Sequence, residues 1–349
     1  MRFYTNQHQY YCGIDLHAKG MYLCILNNSG EIVQHRNLKT DPDAFLSAIS
    51  EYGDDLVVGA ECVYCWYWLA DVCATANIAF VLGHALYMKA ISGGKAKNDK
   101  LDSQKLAAML KGGVFPMSYV YPREMRAARD LMRRRLFFVN KRAELMAHVQ
   151  MTHHQYNLPA PGKKIAYKAN RDNLQLALED PCAKRMVESD LRMIEHYSDE
   201  IRKLEWHIEK QAKHNGENAL MLSLLQTVPG IGTVLSLTLL YEIHTIERFP
   251  SMQQFCSYAR LVKPEKTSQG KKAGKGGGKI GNPHLRWAFS EATYLLLRSS
   301  PEAKKCLERL QKKSNKAKAL HTLSHRLGKG IYFMLKRREA FNANKFFAQ

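Results

Sequence analysis

The chain has 349 residues, 46% of them hydrophobic, and a formal net charge of +20. That length and apolar content exclude wholesale disorder and leave room for two or three domains. Residues 1–110 carry 9 Lys/Arg against 11 Asp/Glu, so everything beyond them holds 43 against 21. A near-neutral head on a strongly basic body points to a catalytic module carried by a polyanion-binding one. The bland alternative is a charge that merely keeps the protein soluble.

The eight cysteines show no framework spacing. Cys62 and Cys65 form a lone C-x-x-C without the second pair a zinc site needs, and they read as small buried hydrophobes with reduced thiols. No apolar run approaches the roughly 18 residues of a membrane helix. The start of the chain, with Asn6, Gln7 and Gln9, lacks a signal-peptide core. These features predict a soluble, cytoplasmic protein with no membrane partner.

In chain order, Tyr10–Leu16 reads as a short apolar strand ending in an acid, and Met21–Leu26 as a second strand. Asn27-Asn28-Ser29-Gly30 supplies a hairpin turn into a third strand near Ile32–Asn37. Asp41–Tyr52 has helical periodicity, with Asp41 as N-cap and Pro42 in the first helical position. A buried strand over Leu56–Glu61, a helix from Tyr64 to Ala76, a strand at Ala79–Gly83 and a helix over Leu101–Leu110 follow. The order β-β-β-α-β-α-β-α is that of an RNase H-like domain, although many α/β folds share parts of it. We set this domain at residues 1–122.

Residues 123–215 show almost no strand signal. Val187, Leu191, Ile194, Tyr197, Ile201, Leu204 and Ile208 step by three or four into one apolar stripe, and Met125 to Gln155 is a second helical stretch. Pro159-Ala160-Pro161-Gly162 breaks the two apart. An antiparallel hairpin and a dimerising coiled coil both fit, as does a plain helical bundle. Residues 216–349 form a third, mainly helical region. Thr227-Val228-Pro229-Gly230-Ile231-Gly232 ahead of Thr233–Ile243 is the turn of a helix-hairpin-helix, whose backbone N–H groups can receive a phosphate; a purely structural turn is the other reading. Residues 263–349 hold 21 basic and 5 acidic side chains, the densest positive stretch of the chain.

Asp15 and Glu61 each end an apolar strand, and Asp99 and Asp102, three apart at a helix start, project from one face. Adjacent strands bring the first two together, and the helix lays the second two across the same edge. Four clustered carboxylates repel and do not all stay ionised without a cation. Hard oxygen donors of this kind suit Mg²⁺ or Mn²⁺, which polarises a scissile phosphate. Taken singly, Asp99 and Asp102 also read as helix caps and Glu61 as a surface residue. Lys95, Lys97 and Lys100 flank the last pair and are candidate contacts to a nucleic-acid backbone.

The blocks G-I-D-L-H, G-A-E and K-N-D-K-L-D-S-Q-K-L-A resemble the D-E-D-D pattern of transposases of insertion-sequence family 110. T-V-P-G-I-G-T-V-L-S-L-T-L-L-Y-E-I, F-C-S-Y-A-R-L-V-K-P, T-S-Q-G-K-K and G-N-P-H-L-R-W-A resemble its C-terminal half in the same order. The resemblance spans about residues 10–300. It implies a RuvC-like (RNase H-like) N-terminal domain with Asp15, Glu61, Asp99 and Asp102 as acids, a coiled-coil middle, and a C-terminal transposase domain with a serine nucleophile. The implied activity is DNA recombination guided by a structured bridge RNA that pairs with donor and target DNA. It further implies a bacterial, nucleoid-associated protein acting as a homo-oligomer, dimer or tetramer.

The serine falls at Ser268, in Lys266-Thr267-Ser268-Gln269-Gly270-Lys271. This chain departs from the family there, with Thr267 where a second serine often stands and Gln269 where glycine is common, so Thr267 is the alternative nucleophile. A serine hydroxyl needs activation by a base or metal. The surrounding stretch, with Lys271, Lys272, Lys275 and Lys279 among its glycines, reads as a loop able to wrap a phosphate; it is not a P-loop. His284 and Arg286 of G-N-P-H-L-R are further nucleic-acid candidates, His284 being equally a helix-start residue. Two other functions remain open from the residues: water attack followed by 3′-hydroxyl transfer without a serine, and a non-catalytic nucleic-acid scaffold.

Overall fold

A computed structural model describes residues 2–91, 98–159, 165–171, 174–275 and 280–347. The chain divides into two compact units, Met1–Arg123 and Glu124–Gln349.

The first unit is mixed α/β. Its elements are β1 (Phe3–Tyr4), β2 (Tyr10–Leu16), β3 (Gly20–Asn27), β4 (Ile32–Lys39), α1 (Pro42–Ile49), β5 (Leu56–Glu61), α2 (Tyr67–Thr75), β6 (Ala79–Gly83), α3 (Ala85–Ile91), α4 (Asp99–Lys111) and β7 (Phe115–Pro116). Five strands form one sheet in the order β4-β3-β2-β5-β6, with β1 and β7 paired separately. β2, β3 and β4 are antiparallel, whereas β2–β5 and β5–β6 are parallel. Asp41 accepts from the Ala44 N–H at 2.9 Å and caps α1, with Pro42 in its first turn.

Strand alternation sorts the side chains of β2. Cys12, Ile14 and Leu16 join Phe45, Leu69 and Trp66 in the core under α1 and α2. Tyr11 turns the other way, into a cluster with Val57, Leu106, Leu110 and Phe115. Gly13 lies on that second face because nothing larger fits: a Cβ there meets the α4 backbone at 2.3 Å from Ala107 N and Ser103 O. The bare strand lets α4 lie directly against the sheet, and Asp15 continues the same face.

The second unit is mostly helical: α5 (Arg123–Gln155), α6 (Pro181–His214), α7 (Gly216–Gln226), α8 (Thr233–Ile243), α9 (Met252–Tyr258), a hairpin of β8 (Glu265–Ser268) and β9 (Lys271–Lys275), then α10 (Pro283–Ser299), α11 (Pro301–Gln311), α12 (Lys316–Arg337) and α13 (Ala343–Phe347). α5 and α6 pair antiparallel within the chain. Arg135 bonds Glu205 at 2.7 Å, Arg142 bonds Ser198 at 3.2 Å, and Val149 packs with Val187. Within the chain the two helices form the antiparallel hairpin, one of the three sequence readings; the Pro-Gly break expected between the helices falls largely outside the described residues. α8 is buried on all sides from Leu235 to Ile243, as its apolar sequence requires. Gly230, ahead of it, has φ +86°, and its missing Cβ admits α10 at 2.5 Å from Leu296 N, so close packing accounts for that glycine. No helix of the described residues is long and apolar enough to cross a membrane. The eight cysteines are free thiols, but Cys62 is exposed and Cys65 half-buried, so the expectation that this pair is buried fails.

Candidate active site

Register brings the first two acids together. β2 and β5 run parallel with Ile14 opposite Ala60, and Asp15 and Glu61 are each the next residue. Both strands point their C-terminal ends at the start of α4. Asn98 caps that helix by accepting from the Leu101 N–H at 2.8 Å, and Asp99 and Asp102 occupy its first turn. Acids there are favoured by the helix dipole. The docked edge is held from β4, where His35 Nε2 meets Lys100 O at 2.9 Å.

Asp15 is the inner member. Its side chain is 18% exposed, against 61% for Asp99 and 26% for Asp102. Burial pushes the Asp15 carboxyl above the usual carboxylate range; His17 opposes that, and the charges of Asp99, Asp102 and Glu61 add to it. The other three acids thus each raise the Asp15 pKa, and a carboxylate there gains from any cation that neutralises its neighbours. Asp102 also bonds Lys105 Nζ at 3.0 Å. Asp15, His17 and Asp99 present one donor atom each, all within 4.8 Å of one another. His17 was not singled out in the sequence, yet its signal was present: two residues after Asp15 at a strand end, it shares that residue's face.

The basic candidates are less fully described. Lys100 is exposed beside the acids; Lys95, Lys97 and Lys279 lie outside the described residues, as do the side chains of Thr267, Lys272 and Lys275. The stretch read as a loop is a β-hairpin over residues 265–275. Gln269 (φ 51°) and Gly270 (φ 73°) make its two-residue turn. Ser268, exposed, pairs with Lys271 across that turn.

His284 and Arg286 open α10, and Arg286 is exposed. His284 sits beside a buried polar centre that the sequence reading missed. Glu242 of α8, 2% exposed, receives Arg133 Nε at 2.6 Å, Arg129 Nη2 at 3.1 Å and Asn282 Nδ2 at 2.7 Å. Asn282 turns its Oδ1 to the His284 and Leu285 N–H groups and caps α10. Gly281 (φ +95°) leaves no room for a Cβ against Tyr258 O at 2.6 Å. The G-N-P-H block is thus a helix-start device clamped to α8. Burial lowers the His284 pKa, the charge of Glu242 raises it, and the arginines lower it again.

Comparison with known families assigns the class, the transposases. Residues 12–157 match a family described as Transposase, of the DEDD type named for IS110, and residues 222–308 match the Transposase IS116/IS110/IS902 family. The chain carries IS110-family transposase domains, whose substrate is DNA. No curated protein matches it.

Proposed function

We propose that this protein is an RNA-guided DNA recombinase that moves an insertion sequence. The observation that carries the reading is the placing of Asp15 and Glu61 at adjacent parallel strand ends, with Asp99 and Asp102 in the first turn of the helix docked there; burial first, and then the charges of those neighbours, push the Asp15 carboxyl up. The sheet order β4-β3-β2-β5-β6, with its antiparallel and parallel halves, supports an RNase H-like (RuvC-like) domain over residues 1–122. The coil of residues 123–215 and the serine-bearing residues 216–349 complete the division of labour.

The donor set fits a hard divalent cation, because three carboxylate neighbours burden the fourth with charge that an ion removes. Asp15, Glu61, Asp99 and Asp102 would hold Mg²⁺ or Mn²⁺, which when bound polarises the scissile phosphate and stabilises the attacking and leaving oxygens. Asp15 anchors that set from the strand end, while the Asn98-capped first turn orients Asp99 and Asp102. Ser268 attacks phosphorus through Oγ: the Oγ–H bond breaks and the Oγ–P bond forms, a strand P–O bond breaks, and the leaving oxygen takes a proton, so the proton count is unchanged. A phosphoserine keeps the bond energy for rejoining, when a strand hydroxyl displaces Ser268. Lys100, Lys271 and Arg286, exposed near these groups in sequence, are assigned to phosphate contacts, with Lys95, Lys97, Lys272, Lys275, Lys279 and His284. Guide RNA and a homo-oligomeric, nucleoid-associated state rest on the family resemblance.

Asp15→Ala, Glu61→Ala, Asp99→Ala and Asp102→Ala are each expected to abolish Mg²⁺-dependent strand cleavage while leaving folding and nucleic-acid binding. Near-wild-type recombination by Asp15→Ala rejects the metal assignment. Sequencing the RNA that co-purifies with the protein tests guidance, and a covalent protein–DNA species that persists in Ser268→Ala removes the serine from the chemistry.

A further inference from the structure

The imidazole of His17 stands between two acids that come from different elements. Its Nε2 lies 3.5 Å from Asp15 Oδ2 on β2 and 3.6 Å from Asp99 Oδ2 on α4. Those separations exceed the usual 2.7–3.2 Å or so of a good nitrogen–oxygen hydrogen bond. They fall between the separations of donors sharing an ion, since octahedral ligands about 2.1 Å from a metal stand roughly 3.0 Å apart at right angles and 4.2 Å apart across it. The whole trio fits within 4.8 Å, a span that closes onto an ion with a shift of a few tenths of an ångström.

The main chain fixes the ring's origin independently of the acids. The His17 N–H donates to Gly20 O at 2.9 Å, closing the turn into β3. Thr40 Oγ1 donates to His17 O at 2.8 Å, tying that turn to the end of β4. With its backbone held twice and its place two residues after Asp15, the side chain starts from a fixed point beside the acid face. Side-chain exposure of 55% leaves the ring open to solvent and to an entering ion.

We infer that His17 is a fifth donor of the divalent-ion site, binding through Nε2 beside Asp15 and Asp99, and that it biases the site toward Mn²⁺ over Ca²⁺. The inference rests on the metal-dependent reading proposed above. An imidazole nitrogen among carboxylates favours ions later in the divalent series, whereas Ca²⁺ takes oxygen.

The test uses the full chain and Mn²⁺ alone. Wild type, His17→Gln and Asp15→Asn are titrated with Mn²⁺ and Ca²⁺, and the bound Mn²⁺ is examined by pulsed electron paramagnetic resonance for coupling to ¹⁴N. Thermal melting verifies that each variant is folded. Expected are an Asp15-dependent Mn²⁺ site with nitrogen coupling in wild type, loss of that coupling in His17→Gln, and Mn²⁺ affinity lower by about tenfold with little change for Ca²⁺. Asp15-dependent Mn²⁺ binding without nitrogen coupling, or unchanged Mn²⁺ affinity in His17→Gln, overturns the role of His17 and leaves the carboxylate site standing. Absence of Asp15-dependent Mn²⁺ binding in wild type overturns both.

Discussion

Glu242 illustrates how one side chain can fix a domain. Removing a carboxylate from water is costly, and burial alone raises its pKa; the hydrogen bond from Arg133, the charges of Arg129 and Arg133, and the hydrogen bond from Asn282 more than offset this and bring it from 4.5 to about 2. A folded-state pKa below the unfolded one means that Glu242 contributes stability above about pH 4.5 and loses it as pH falls toward 2. Replacing it with Gln keeps the shape but withdraws the charge that both guanidiniums meet. Glu242→Gln is therefore expected to destabilise the protein by about 3 kcal/mol near neutral pH, as read from denaturant midpoints. The gap between wild type and variant should close as the pH drops below 4.5; a gap constant to pH 2 contradicts the network. Little in the sequence announced this residue, because an acid in T-V-L-S-L-T-L-L-Y-E-I looks like the helix's one solvated position. Asp15 was legible for the opposite reason: its place at the end of an apolar strand fixed both its face and its edge.

At the scale of elements, close approach decides the site. α4 reaches β2 because residue 13 has no side chain, so Gly13→Ala must push the helix away or bend the strand. The expected outcome is a loss of about 2 kcal/mol or more in stability with cleavage falling further than nucleic-acid binding, since the displaced helix carries Asp99 and Asp102. Equal losses of cleavage and binding would mean general unfolding rather than a displaced helix. The hairpin offers a second lever. Gly270 at φ 73° suits a conformation that β-branched residues avoid, so Gly270→Val is expected to reduce the covalent protein–DNA species while leaving the melting temperature within a few degrees. Strands Tyr10–Leu16, Leu56–Glu61 and Ala79–Gly83 were read to the residue, since buried apolar runs between turn residues leave few alternatives. The β8–β9 hairpin was not. K-K-A-G-K has neither β-branched residues nor an apolar alternation, and a Gln-Gly turn is a weaker signal than Asn-Gly. The two-residue strands β1 and β7 and the seven-residue α3 are too short for periodicity to register.

Across the whole molecule, charge follows the division into units. Residues 1–123 carry 11 basic and 11 acidic side chains, so the entire +20 belongs to Glu124–Gln349. Affinity for nucleic acid should fall steeply with salt, by a slope of about 0.9 per neutralised phosphate, and a fragment of residues 1–123 should bind poorly. Full affinity in that fragment contradicts the proposed division. The same division poses the question of which chain's Ser268 serves which chain's acids. The α5–α6 hairpin is long and its apolar stripe is largely consumed within the chain, where Val187, Ile194, Ile201 and Ile208 are buried, yet Trp206 and Met193 on α6 remain exposed. A homo-oligomer in which the serine of one protomer works with the carboxylates of another makes a specific demand. Asp15→Ala and Ser268→Ala proteins, each inactive alone, should regain part of the wild-type cleavage when mixed, because a heteromer contains one intact pair of groups. The recovered fraction should rise with the heteromer fraction measured by native mass spectrometry. Heteromers that form without any recovery would instead assign a complete site to each single chain.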